Sequence, residues 1–383
     1  MTKIESKTMP MGRKGKSDFP FRPIGGVLGL LCCLLVGVAF ASPAQAGTLK
    51  AIWGPSELEA GSAACPTTDQ PCSAFPTYKR LGVEVFEYQV HWDEVAPTRP
   101  KHPRDPDDPA YNWGEVDRVA AEAESYGIQL AILVQRAPSW ANGGRSPIWA
   151  PRDPRDYADF VYAASRRLPS VHTWMIWGEP ARVENFRPMS ASSAAGPRLY
   201  ARILDAAYGA LKQARPSNVV VGGMTLNGGT VMPTVFLREM KLPDGRPPRM
   251  DLWGHNPFDG RFPNLADEPI GRFRGFNDID TYYREIRAYY RQGHRKVPRL
   301  WLSEWTVISD KPSRIFLHFY VTAPEQARWL RAAFAIARRT PYVAAMGWFT
   351  LLDEPPAPGS ANWGLMNSDG TPKPSFTAFK NVP

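Results

Sequence analysis

His172-Thr-Trp-Met-Ile-Trp-Gly-Glu179-Pro180 is a short apolar run closed by a carboxylate and a proline. Arg299-Leu-Trp-Leu-Ser-Glu304-Trp305 repeats the design, its glutamate lying 125 residues further on. Runs of this length, rich in large apolar side chains and too short for ordinary helices, read as strands buried on both faces. Such strands belong to a parallel sheet covered by helices, and in a closed parallel sheet the residues at their carboxyl ends surround the one open cleft.

Working outward, the same alternation recurs. Strands are predicted at Leu49 to Trp53, Gly82 to Val90, Ile128 to Val134, Val171 to Trp177, Asn218 to Gly223, Met250 to Gly254, Arg299 to Ser303 and Val343 to Trp348. Between them, helices are predicted at Trp113 to Ser125, Asp156 to Arg167, Gly196 to Ala214, Thr234 to Met240, Ile279 to Tyr290 and Pro324 to Arg339. In the first of these, Val116, Val119, Ala120 and Ala123 fall on one face at helical spacing. Eight strands alternating with amphipathic helices predict an α/β protein with a single (β/α)8 TIM barrel over residues 47–383. A doubly wound sheet usually uses fewer strands. No sequence repeat of fixed period is visible.

Residues 1–46 form a separate unit: a basic stretch (Lys3, Lys7, Arg13, Lys14, Lys16, Arg22), an apolar run from Ile24 to Ala41, and Ala44-Gln45-Ala46 ahead of Gly47. This is the pattern of a secretory signal peptide. A run of 18 residues also reaches the lower limit for spanning a bilayer, so a retained N-terminal membrane anchor is the second reading. Either one places the barrel outside the cytoplasm, secreted to an extracellular or periplasmic location. With six bases and two acids the segment accounts for +4 of the formal +9, leaving a mildly basic domain. No cluster of Lys and Arg interleaved with aromatics supports nucleic-acid binding, and no membrane contact is expected apart from a retained leader.

Four cysteines divide the same way, with Cys32 and Cys33 in the apolar run and Cys65 and Cys72 in a Pro/Thr/Ser loop. In an exported chain the second pair, seven positions apart, is expected to close a small disulfide loop. Six scattered histidines, with no H-E-x-x-H, imply no metal and no cofactor. Gly12-Arg-Lys-Gly-Lys-Ser17 has two residues where a phosphate loop needs four, and no G-x-S-x-G elbow occurs.

Two carboxylates facing each other across one cleft are what glycosidic cleavage requires: one protonates the leaving oxygen while the other serves the anomeric carbon. Taken singly, each glutamate could equally cap a helix or pair with an arginine on the barrel rim. Trp-Gly-Glu179-Pro ending the fourth strand, Leu-Ser-Glu304-Trp ending the seventh and Trp348 closing the eighth resemble the large clan A of retaining (β/α)8 glycoside hydrolases, which contains family 5 cellulases and family 39 xylosidases. His91-Trp-Asp-Glu-Val-Ala-Pro97, Tyr111-Asn-Trp-Gly-Glu-Val-Asp117 and Gly127 to Trp140 are similar to the region of that clan's second and third strands, and the likeness runs from Leu49 to Phe379. The resemblance implies a carbohydrate substrate, Glu179 as general acid/base and Glu304 as nucleophile. It further implies that Glu304 is held ionised by donors while Glu179 has a raised pKa.

One departure stands out. The clan's acid/base is usually preceded by an asparagine that binds the sugar 2-hydroxyl, and here Gly178 precedes it, with Ala181 where a second asparagine often follows. Asn185, Asn227 or Asn256 would then have to supply a donor, or the preferred sugar differs. The strand ends also nominate Tyr88, His91, Gln135, His255 and Asn256 as substrate contacts, and Trp140, Trp149, Trp177, Trp305, Trp348 and Trp363 as aromatic ones, with core packing or loop capping as the alternative for each. Trp53, Trp174, Trp253 and Trp301 read as core. A non-catalytic carbohydrate-binding barrel is the rival to the enzyme; an open cleft with convergent carboxylates separates the two.

Overall fold

The computed structural model describes residues 47–58, 62–64, 73–313 and 319–383. The leader and the Cys65–Cys72 pairing lie outside the described residues. Eight parallel strands close in sequential order into a barrel: β1 (Leu49–Trp53), β2 (Val85–His91), β3 (Gln129–Gln135), β4 (Thr173–Ile176), β5 (Val219–Leu226), β6 (Leu252–Asn256), β7 (Arg299–Trp305) and β8 (Val343–Phe349). Closure is made by β1 on β8, with Ala51 opposite Gly347 and Trp53 opposite Phe349. Every predicted strand is present, its bounds moved by a few residues.

Alternation along each strand divides the core in two. Ala51, Trp53, Val85, Ala131, Leu133, Met175, Val221, Met224, Trp301 and Ala345 fill the barrel interior. Ile52, Phe86, Tyr88, Leu130, Ile132, Trp174, Ile176, Trp253, Leu300, Leu302 and Trp348 face outward and pack under the helices. The helix Gly114–Ser125 buries Val116, Val119, Ala120 and Ala123, the face read from the sequence. Asp153 accepts the backbone N–H of Arg155 to start Pro154–Arg167, and a Thr322/Glu325 capping box starts Ala323–Arg339. Helices not expected from the sequence include the single turns Trp92–Val95 and Ser139–Asn142, Phe75–Arg80, which follows β1, and Pro374–Asn381, which packs Phe379 edge-on against Phe334.

Buried tyrosines on the helices satisfy carbonyls at the upper ends of the strands. Tyr157 donates to Val134 O at 2.7 Å and Tyr200 to Ile176 O at 2.8 Å. Val134 O also accepts the Trp177 backbone N–H at 3.0 Å, so the hydroxyl is its second donor; together these bonds help to fix the ends of β3 and β4, where the candidate site begins.

Candidate active site

The chain leaving β4 turns sharply. Trp177 and Glu179 both adopt left-handed backbone (φ 62° and 44°), a conformation that strains residues other than glycine and is held only where surroundings enforce it. The turn sends the Trp177 indole outward, where its N–H donates to Asn185 O at 2.8 Å and its ring meets Phe186 edge-on. Glu179 is thereby carried over the barrel mouth.

On β7, Trp301 faces inward and Leu300 and Leu302 face outward. Strict alternation would turn Glu304 outward and Trp305 inward. The register of β7 against β8 shifts between Leu302 and Trp305, and such an irregularity re-aims side chains: Glu304 lines the cleft while Trp305 packs outside.

The two glutamates meet in a cleft of about 290 Å³ lined from four directions: Trp53 of β1, Gln89 of β2, Leu133 and Gln135 of β3, and Gly178 and Asn185 beyond β4. Larger depressions of about 600 and 490 Å³ lie away from the barrel mouth and contain no carboxylate. Glu179 accepts from Arg182 Nη1 (2.8 Å), Asn185 Nδ2 (3.4 Å) and Asn256 Nδ2 (3.0 Å). Burial, first, and then the charges of Glu179 and Glu87 push the Glu304 carboxyl well above the usual range, while Asn256 and Arg182 pull it the other way. For Glu304 this runs against the expectation of a carboxylate held ionised by donors: the hydrogen-bond donors gather on Glu179, and Glu304 is driven toward protonation.

Of the residues nominated from the sequence, Glu179, Glu304, Gln135, Asn185 and Asn256 come together here. Trp177, Trp305 and Trp348 do not line the cleft; all three are wholly buried in the layer between strands and helices. Tyr88 likewise faces outward and stacks on Phe86. His255 is buried, its ring nitrogens engaged by Thr225 and the Arg274 carbonyl, and burial depresses its pKa to about 4, so it is a neutral packing residue. His91 is held by Glu94 and Arg136, each at 2.9 Å, outside the cleft lining. Trp140 donates to Ala96 O and lies under Arg99. Trp149 is covered by Arg145.

Several site residues went unread. Trp53, assigned to the core, lines the cleft. Phe349, one residue beyond Trp348, packs on the interior cluster and against Phe258 and Trp363, placing an aromatic group at the barrel mouth. Arg182 pairs with Glu179, and its Nε lies 3.7 Å from Glu184. Gly178 is also explained: a Cβ there would stand 2.9 Å from Gln135 Oε1. The Gln135 side chain already fills the space that a larger residue at 178 would need.

The arrangement defines a (β/α)8 barrel with paired carboxylates at its carboxyl-terminal face. No protein-family model matches the chain, and no curated protein does. Solved structures do. A family 39 glycoside hydrolase from the gut symbiont Bacteroides cellulosilyticus WH2 superposes with a TM-score of 0.60 at 17% identity, over 88% of this chain and 64% of that one. A glucosidase from Croceicoccus marinus gives 0.62 at 17% identity (88% and 67%), and a monomeric β-xylosidase from Caulobacter crescentus CB15 gives 0.59 at 20% identity (88% and 68%). At these identities the likeness establishes the barrel fold, and the chain spans about two thirds of the length of those proteins.

Proposed function

We propose that the protein is a glycosidase that cleaves an O-glycosidic bond of an oligo- or polysaccharide with retention, with Glu304 as nucleophile and Glu179 as general acid/base. The observation that carries this reading is the convergence of the two carboxyls on one open cleft, with the Asn256 amide donating to Glu179 and drawing on Glu304. The glycosidases that share the barrel add to it.

In this reading the pair holds one proton, which must sit on Glu179 when the bond breaks. Arg182 is the group that decides this. Its guanidinium is 38% exposed and has Glu184 as a second partner, so substrate entering the cleft can displace it from Glu179 without stranding a buried cation. With the Arg182 charge withdrawn, the proton passes to Glu179; as the Glu304 anion attacks the anomeric carbon, Glu179 gives that proton to the departing glycosidic oxygen, so the C–O bond breaks while the glycosyl ester to Glu304 forms. Glu179 then deprotonates the water that releases the sugar. Asn256 remains beside both groups throughout. Residues 1–46, read as an export signal, would deliver the domain to the outside of the cell.

The test is hydrolysis of a panel of aryl α- and β-glycosides and of plant and bacterial polysaccharides by the wild type, Glu304→Ala and Glu179→Ala. Turnover that collapses in Glu304→Ala, and that azide partly restores in Glu179→Ala on an activated aryl glycoside, supports double displacement. Sugar binding without turnover would replace the enzyme with a binding protein, and turnover unchanged in both variants would overturn the site.

A further inference from the structure

A third carboxyl, unused by the proposed reaction, lies inside the barrel. Glu87 occupies an inward position on β2 and has no exposed surface. Trp301 donates its indole N–H to Glu87 Oε1 at 2.8 Å, and the Ser303 hydroxyl donates to Oε2. Both donors belong to β7, and Ser303 immediately precedes Glu304. On β8, Gly347 leaves room for this contact: a Cβ there would lie 3.3 Å from Glu87 Oε1 and 1.9 Å from the Ser303 carbonyl oxygen.

The neighbouring interior positions are Val85, Ala131, Leu133 and Ala345. Among these a carboxyl costs several kcal/mol unless it is neutral or paired. Among the described residues, no basic side chain pairs with Glu87. Burial is the main influence, opposed by the Ser303 and Trp301 hydrogen bonds, and the carboxyl is pushed up to about 8. The charged groups on this side of the barrel include Glu304 from β7, on which Glu87 acts directly, Glu179 from the turn after β4, Arg182 beyond it, and Arg136 and Glu184, which line the same cleft. A local rule broken at such expense, one residue from a reactive group, is where function is to be sought.

We propose that Glu87 is a positioning residue for Glu304: its neutral acid fixes the irregular tip of β7 that turns Glu304 into the cleft, and its ionisation sets a second negative charge beside the nucleophile and shuts the reaction off. The proposal rests on the assignment of Glu304 as nucleophile. It makes the alkaline limit of the enzyme a property of the barrel interior as well as of the acid/base.

An aryl glycoside with a leaving group that needs no protonation separates the two contributions. In a Glu179→Ala background, kcat/KM for glycosylation is expected to fall about tenfold per pH unit above roughly pH 8. In Glu179→Ala/Glu87→Gln, which keeps a neutral group of the same size, the profile stays flat to pH 9.5. Ser303→Ala in the same background removes a donor that favours the Glu87 anion, so the limb moves upward by about one unit; this variant carries the test if Glu87→Gln does not fold. An alkaline limb unmoved by either change, while Glu304→Ala is inactive, overturns the role of Glu87 alone. Retained turnover in Glu304→Ala overturns the nucleophile reading itself.

Discussion

Replacing Gly178 with alanine separates the fold from the site. The new methyl would stand 2.9 Å from Gln135 Oε1 and 3.5 Å from both methyl groups of Leu133. The leucine contacts are ordinary van der Waals distances. The glutamine contact is not, and it is relieved by swinging the flexible end of a side chain that faces the cleft. The backbone at 178 is not left-handed, so alanine adds no strain there, and the cost to stability is about 1 kcal/mol or less. Activity should respond far more. With Gln135 displaced from beside the carboxylates, a sugar contact strengthened in the transition state is lost, worth about 1.5–3 kcal/mol, or roughly 10- to 150-fold in kcat/KM. The assay pairs a thermal melt with initial rates on the best glycoside. Gln135→Ala should reproduce the loss, and the double variant should lose nothing more. Wild-type rates in Gly178→Ala, or loss of activity that merely tracks unfolding, would refute the reasoning.

Asn256→Ala removes a buried donor from Glu179 and from Glu304; it should cost roughly 10- to 150-fold in kcat/KM, and an effect confined to KM would show that the amide only binds. Trp348→Ala deletes a wholly buried ring 5.7 Å from that of Trp305 and should destabilise by roughly 3–5 kcal/mol in denaturant titration with little change in KM, whereas Phe349→Ala should raise KM with a smaller loss of stability. Glu57 and Glu87 are buried carboxyls pushed up to about 7 and about 8, chiefly by burial. The native protein keeps both protons where the unfolded chain releases them at ordinary carboxylate pH. Their contribution to stability is therefore full below that range and is lost as pH rises to about 8. Urea midpoints should decline between pH 5 and 8, less steeply in Glu87→Gln; a flat profile would contradict the neutral state of both groups.

The barrel was legible because each strand is a short apolar run and each long helix carries one apolar face; the helix Gly114–Ser125 buries the four residues that its spacing singled out. Glu179 and Glu304 were legible because each closes such a run. The tryptophans were misread for a physical reason. A strand end shows which residue comes last, whereas the face it presents is set by alternation. Counting from the inward Ala345 puts Trp348 outside and Phe349 inside, and the same count puts Gln135, Glu87 and Trp53 inside. For Trp177 and Trp305 counting alone would have failed, since a left-handed residue and a register shift reverse the count. The charge distribution was also out of reach: Arg182 lies three residues beyond Glu179 in the sequence, but its ion pair depends on the turn after Pro180.

Incubation with the 2-deoxy-2-fluoro glycosyl fluoride of the sugar that the panel identifies, followed by mass analysis of the intact protein and its peptides, tests the central claim most directly. Double displacement predicts inactivation with one sugar attached and the label on Glu304 in the Arg299–Trp305 segment. A label on another residue, or turnover that proceeds without any covalent adduct and with inversion of the anomeric centre, would contradict it.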